Sequence, residues 1–147
     1  MAIAKPNLTI EMLSAERVTE LWPELEPLFD RATKGNQISK EELEANDIFV
    51  LAQTGMCVVF VGFEDEIPAC VLAIQFYMVG VKKGADVIAL AGKNLLAFKA
   101  AYWESIINWL KTNEIQFLDA YVTDRWAKIY RNKFGFNKSC SYVRMNI

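Results

Sequence analysis

The chain has no histidine. That absence removes the commonest general base and rules out Ser–His and Cys–His nucleophile pairs, so any acid–base chemistry falls to Asp, Glu, Tyr, Cys or a solvent relay. It also takes away a frequent metal ligand. The three cysteines, Cys57, Cys70 and Cys140, are odd in number and include no CxxC pair, so no zinc site is expected. They read as buried reduced thiols in a cytosol-type compartment. No apolar run approaches the length of a membrane span. The start, Met1 to Pro6, lacks the apolar region of a signal peptide, which argues for a chain that is not secreted by that route. Repeats and low-complexity segments are absent, and no Pro/Gly-rich linker divides the sequence. One domain over residues 1–147 is the expectation.

Apolar residues are plentiful: 53% of the chain is hydrophobic, enough for a real core. The net charge is -2 and the pI about 5.2, so nothing draws the chain as a whole to nucleic acid or to an anionic membrane. One local exception is the basic run Arg125, Lys128, Arg131 and Lys133. It reads as a contact for a cofactor phosphate, as a nucleic-acid contact, or as the wet face of a helix whose inner face is Trp126, Ile129, Tyr130 and Phe134; the last is favoured.

Along the chain, Asn7 to Leu13 alternates and suits a first strand. Ser14 caps a helix carrying Val18, Leu21, Trp22, Leu25, Leu28 and Phe29 at helical spacing, with Pro23 and Pro27 predicting a break near Trp22. Ile38 to Leu43 has a capping box in Ser39 and Glu42. Ile48 to Gln53 either begins a strand or leads into one. Met56–Phe63 and Ala69–Val79 read as a hairpin around the acidic turn Glu64 to Pro68. Lys82-Lys83-Gly84 marks another turn, and Asp86 to Ala91 a third central strand. Asn94 to Lys111 is a long helix and Gln116 to Val122 a strand. A final helix runs from a Thr123 or Asp124 cap to Phe134, where Gly135 is the left-handed stop. Phe136 to Ile147 reads as a last β segment. This order argues an α/β (α+β) layered sheet.

The segment Trp126 to Phe136 is similar to one in a known family. Its Tyr130, Gly135 and Phe136, after a helix and strand of matching length, resemble the ending of the GCN5-related N-acetyltransferases (GNATs). With the Met56–Val79 hairpin the resemblance covers about two thirds of the chain. It implies a mixed central sheet with helices on both faces and an acyl-CoA-dependent N-acyltransferase using acetyl-CoA on a small-molecule or protein amine. By that resemblance Tyr130 is the general acid for the leaving thiolate; by the bland reading it is a core residue anchoring the last helix. Asp119 would activate the amine if it faces the cleft; otherwise it is a solvated or hydrogen-bonded strand residue. The family's pyrophosphate turn falls on Asn94 to Lys99, with Gly92 and Lys93 leading in. Asn94 stands where the family has Arg or Gln, and Ala97 and Lys99 stand at its glycines, so β-carbons crowd the phosphate surface. Thr123 replaces an asparagine, and bulky Trp126 a small residue.

Two functions therefore compete. In one, an acyltransferase works with an altered turn. In the other, a non-catalytic protein with no cofactor acts through protein partners, as the similar small internal virion proteins of T7-type phages would. Leu90-Ala91-Gly92-Lys93 echoes those proteins. Tyr102, Trp103 and Trp109 on the long helix are the candidate contacts, against a core role. The first function places the chain in the cytoplasm, the second inside a phage particle.

Overall fold

The computed structural model describes residues 6–35, 43–138, 143, 145 and 147. In chain order the elements are β1 (Leu8–Leu13), α1 (Ala15–Gly35), α2 (Ala45–Gln53), β2 (Cys57–Glu64), β3 (Ile67–Val79), β4 (Lys82–Gly92), α3 (Leu95–Thr112), β5 (Ile115–Ala120) and α4 (Asp124–Phe134). The strands form one sheet in the order β1-β2-β3-β4-β5. Every neighbouring pair is antiparallel except β4 and β5, which run parallel. A parallel pair needs a crossover, and α3 provides it.

Strand alternation sorts the core into two layers. Val59, Val61, Val71, Ala73 and Ala89 face one side and meet Val18, Leu25 and Phe29 of α1 and Ile48 of α2. Phe60, Leu72, Ile74, Ala85 and Val87 face the other and meet Ile106 and Leu110 of α3 and Tyr130 of α4. With helices on both faces, the central strands read as near-continuous apolar runs. No helix among the described residues is long and apolar enough to cross a membrane.

Several expectations need correction. The break at Trp22 does not occur: α1 is one helix of 21 residues with Pro23 and Pro27 inside it. A mid-helix proline costs about 3 kcal/mol, because it removes one hydrogen bond and crowds the preceding turn. Burying Val18, Leu25 and Phe29, each worth about 1.5–3 kcal/mol, offsets the two prolines, which sit on the exposed face. Ile48 to Gln53 is helix, not strand. Ala45, Ile48 and Ala52 are buried at helical spacing, and the Glu44 amide donates to Asp47 Oδ2 at 2.8 Å. The acidic turn tightens to Asp65 and Glu66, both with positive φ, and Asp65 is bonded on either side to Asn7. The next turn lies at Gly80 and Val81, so Lys82, Lys83 and Gly84 belong to β4. Residues 136–138 have no regular structure, while most of the expected last strand, Cys140 and the Ser39–Glu42 capping box lie outside the described residues. Cys57 and Cys70 are buried free thiols, each pushed up to about 11 by burial.

Replacing Pro23 by alanine gives Thr19 a helical amide partner and relieves the ring's clash. Pro23→Ala is expected to raise unfolding free energy by about 1–2 kcal/mol in urea titrations, part of the gain being returned by the looser unfolded chain.

Candidate functional site

The feature that sets this sheet apart is where β4 and β5 separate. They pair from Lys83 with Ile115 to Val87 with Ala120. There β5 ends, while β4 runs on to Gly92, still paired with β3. The separation coincides with a bulge: Ile74 pairs with Val87 and Ala73 with Ala89, leaving Ile88 as the extra residue. A bulge bends its strand. The carboxyl ends of parallel strands that part are where open α/β sheets take ligands.

At the entrance to α3, Gly92 has φ 129, and a β-carbon there would strike the backbone of Ala69 and Cys70. Its glycine is a close-packing requirement between β3 and β4, more than an ordinary turn. The Lys93 amide donates to the Ala69 carbonyl at 2.8 Å, so it is already spent. Asn94 sits in the left-handed region (φ 57), and its Nδ2 donates to Glu64 Oε2 at 2.7 Å. A carboxylate thus stands beside the helix end that would otherwise favour an anion. The amides of Leu95, Leu96 and Ala97 open the helix and have no intrahelical partner. Ala97 is exposed, whereas Lys99 turns partly inward to an apolar cleft between α3 and the sheet, lined also by Gly62, Cys70, Leu90, Phe98 and Trp103.

Between α3 and α4 lies an aromatic seam. Trp103 meets Phe134 edge-on at 5.2 Å and Phe136 at 6.4 Å. Tyr130 lies 5.0 Å from Phe136, 5.7 Å from Phe134 and 6.4 Å from Trp126. Tyr130 is only 5% exposed, and burial raises its phenol well above the usual tyrosine range. The other long-helix aromatics also face inward. Tyr102 Oη donates to the Leu8 carbonyl at 2.7 Å, and Trp109 packs edge-on against Phe60 at 5.6 Å. Arg125, Lys128, Arg131 and Lys133 are exposed on the opposite side of α4.

Asp119 lies on the other face of the sheet from Tyr130, because Leu118 and Ala120 on either side of it pack beneath α3 and α4. The two candidate catalytic residues are therefore not brought together. Asp119 pairs in register with Asp86, and its Oδ2 accepts the hydroxyl of Tyr77. Tyr77 belongs to β3, so its ring must cross β4, and it does so over Gly84, where any β-carbon would collide with it. Asp86 is held up at about 6, first by burial and second by the neighbouring Asp119 charge, and its Oδ1 is buried with no hydrogen-bond partner. Tyr77 and Gly84 were not singled out from the sequence. A glycine inside a β-rich run was the available signal, but it was assigned to a turn.

No protein-family model matches the chain, and no curated protein matches it. Solved structures do match, across nearly the whole chain. The aminoglycoside N-acetyltransferase AAC(6')-Iy, in complex with CoA, is 8% identical, with a TM-score of 0.71 over 100% of this chain and 99% of that one. A predicted acetyltransferase from Clostridium acetobutylicum, with acetyl-CoA, is 12% identical, with a TM-score of 0.64 over 95% and 96%. A GNAT family acetyltransferase from Staphylococcus aureus is 8% identical, with a TM-score of 0.65 over 95% and 98%. The chain has the GNAT acetyltransferase fold, a mixed five-stranded sheet with helices on both faces.

Trp103 and Tyr130 are predicted to differ sharply on substitution. Trp103→Ala empties the seam and is expected to cost about 3–5 kcal/mol. Tyr130→Phe keeps the ring and is expected to stay within about 1 kcal/mol of the parent, both measured by denaturant unfolding.

Proposed function

We propose that this chain is a GNAT-fold protein that acts by contacting other proteins and carries out no acyl transfer. The observation behind this reading is the aromatic seam. A general acid for a leaving thiolate must reach the reacting sulfur, and Tyr130 is enclosed by Trp126, Phe134 and Phe136. The same rings, with Trp103, occupy the space between α3 and α4 beside the parting strands. The altered turn adds to the argument. Gly92, Lys93, Asn94, Ala97 and Lys99 offer one amide already bonded, one side chain bound to a carboxylate, and two β-carbons in place of glycines. In this reading no cofactor is used, and the setting is an assembly such as the interior of a phage particle, as the similarity to small internal virion proteins implies.

The contact surface is not the long helix, because Tyr102, Trp103 and Trp109 are engaged inside the molecule. Better placed are Met78, Val79 and Val81 at the β3–β4 tip with Phe117 on β5, all large, apolar and exposed.

A second reading, an N-acyltransferase taking acetyl-CoA and an amine, draws on one specific feature. β4 and β5 part beside a half-buried carboxyl pair, Asp86 and Asp119, and either carboxylate would serve as base there. Asp119 is the candidate base of that reading, with Tyr130 its acid.

Calorimetry with acetyl-CoA separates the two. The first reading expects no binding heat and no thermal shift at millimolar cofactor. It further expects that restoring the turn with Asn94→Arg, Ala97→Gly and Lys99→Gly leaves binding absent until Trp103→Ala also opens the seam. Micromolar binding by the parent, with thiol release in the presence of an amine, would establish the second reading.

A further inference from the structure

We propose that Tyr77, Asp86 and Asp119 form a proton-operated latch on the parting strands: with Asp86 protonated the last β4–β5 rungs stay joined, and with Asp86 ionised they are pushed apart and the gap between the strands widens. The latch stands on the geometry of three strands. Tyr77 on β3 passes over the bare backbone of Gly84 on β4 and donates its hydroxyl to Asp119 on β5, tying β5 to a strand two places away. Asp86 stands between them on β4, in register with Asp119. Neighbouring strands lie about 4.8 Å apart, so the two carboxyl groups are held side by side.

The rung they occupy is the penultimate one. Beyond it only Val87 and Ala120 pair before β5 ends. A force applied there acts on the free end of a short ladder, with the Ile88 bulge already bending β4. Inside the ladder the same repulsion would be resisted by rungs on both sides.

The charges around Asp86 are few. Asp119 is the charged group acting on it, and Tyr77 and Tyr121 are the other titratable groups around the pair. Among the described residues no ion pair reaches either aspartate. With Tyr77 donating to Asp119, protonation of Asp86 is the available way to relieve the repulsion, and burial acts in the same direction. The sign of the pH dependence follows. The folded chain holds this proton up to about pH 6, whereas an unfolded aspartate releases it near 3.8. The stabilisation is therefore fully present below about pH 4 and lost as pH rises through 6. At neutral pH Asp86 is mostly ionised, and the Tyr77 hydroxyl remains as a side-chain tie from β3 to Asp119.

Hydrogen exchange on the whole chain tests this between pH 5 and 7.5, with rates corrected for intrinsic base catalysis. The protection of β5 amides is expected to fall about tenfold over that range and to stay below that of Leu25 and Phe29 in α1 at every pH, because β5 opens without the whole chain unfolding. In Asp86→Asn, and independently in Asp119→Asn, the β5 protection should lose its pH dependence. A β5 protection that is flat with pH in the parent overturns the proposal. So does a β5 protection equal to that of α1 at every pH, which would make the pair a contributor to global stability only. If one variant does not fold, the other still decides.

Discussion

The short parallel ladder between β4 and β5 governs the rest of this molecule. All other strand pairs are antiparallel and joined by tight turns or by α1 and α2. Among the described residues only this pair needs a crossover, which commits 18 residues to α3 and places that helix over the sheet. Because the ladder ends at Val87 and Ala120 while β4 continues, the sheet has an open fork at one end. What fills that fork decides whether the fold is a container for a long thin ligand or a solid block. Here the α3–α4 side carries the ring contacts of Trp103, Tyr130, Phe134 and Phe136 with an apolar cleft beside them, and the opposite side carries Tyr77, Asp86 and Asp119. Around the β4–β5 ladder one face carries aromatic rings, and the other, otherwise apolar beneath α1 and α2, carries two carboxyls and a phenol.

That division was only partly legible in the sequence. The long helix, the final helix and the Met56–Val79 hairpin were readable because their apolar spacing runs long enough to tell a period of 3.6 from one of 2. Gly135 was readable as a stop because a left-handed residue is needed there, and it has φ 80. Ile48 to Gln53 was misread because six apolar-rich residues are too few to separate the two periods. α1 was misread because proline's local cost is visible in a sequence, whereas burial of Leu25 and Phe29 by another layer is not.

The candidate site was less legible still. Asp119 and Tyr130 could each be named, Tyr130 through its place before Gly135 and Phe136, but nothing in a linear sequence says that they fall on opposite faces of the sheet. Parity decides this. Tyr130 packs with Ala85 and Val87, and Asp119 sits beside Asp86, the residue between them. The seam was equally hidden, because Trp103 and Phe136 lie 33 positions apart and meet only after the crossover closes. Trp126 was flagged as too bulky for a cofactor path, and its ring does contact Tyr130. Trp103, for which a core role was the favoured reading, packs against Phe134 and Phe136.

The ring of Tyr77 above Gly84 has a consequence for how this protein can change over time. Position 84 is closed to every larger residue for as long as an aromatic ring spans it, and the ring cannot shrink without releasing Asp119 from the tether. The two sites are therefore locked in sequence order. Bulk must leave 77 before any can arrive at 84, and the intermediate form lacks the tie from β3 to β5. A lineage that took that route would be expected to retain a compensating substitution at 119 or 86 as its trace.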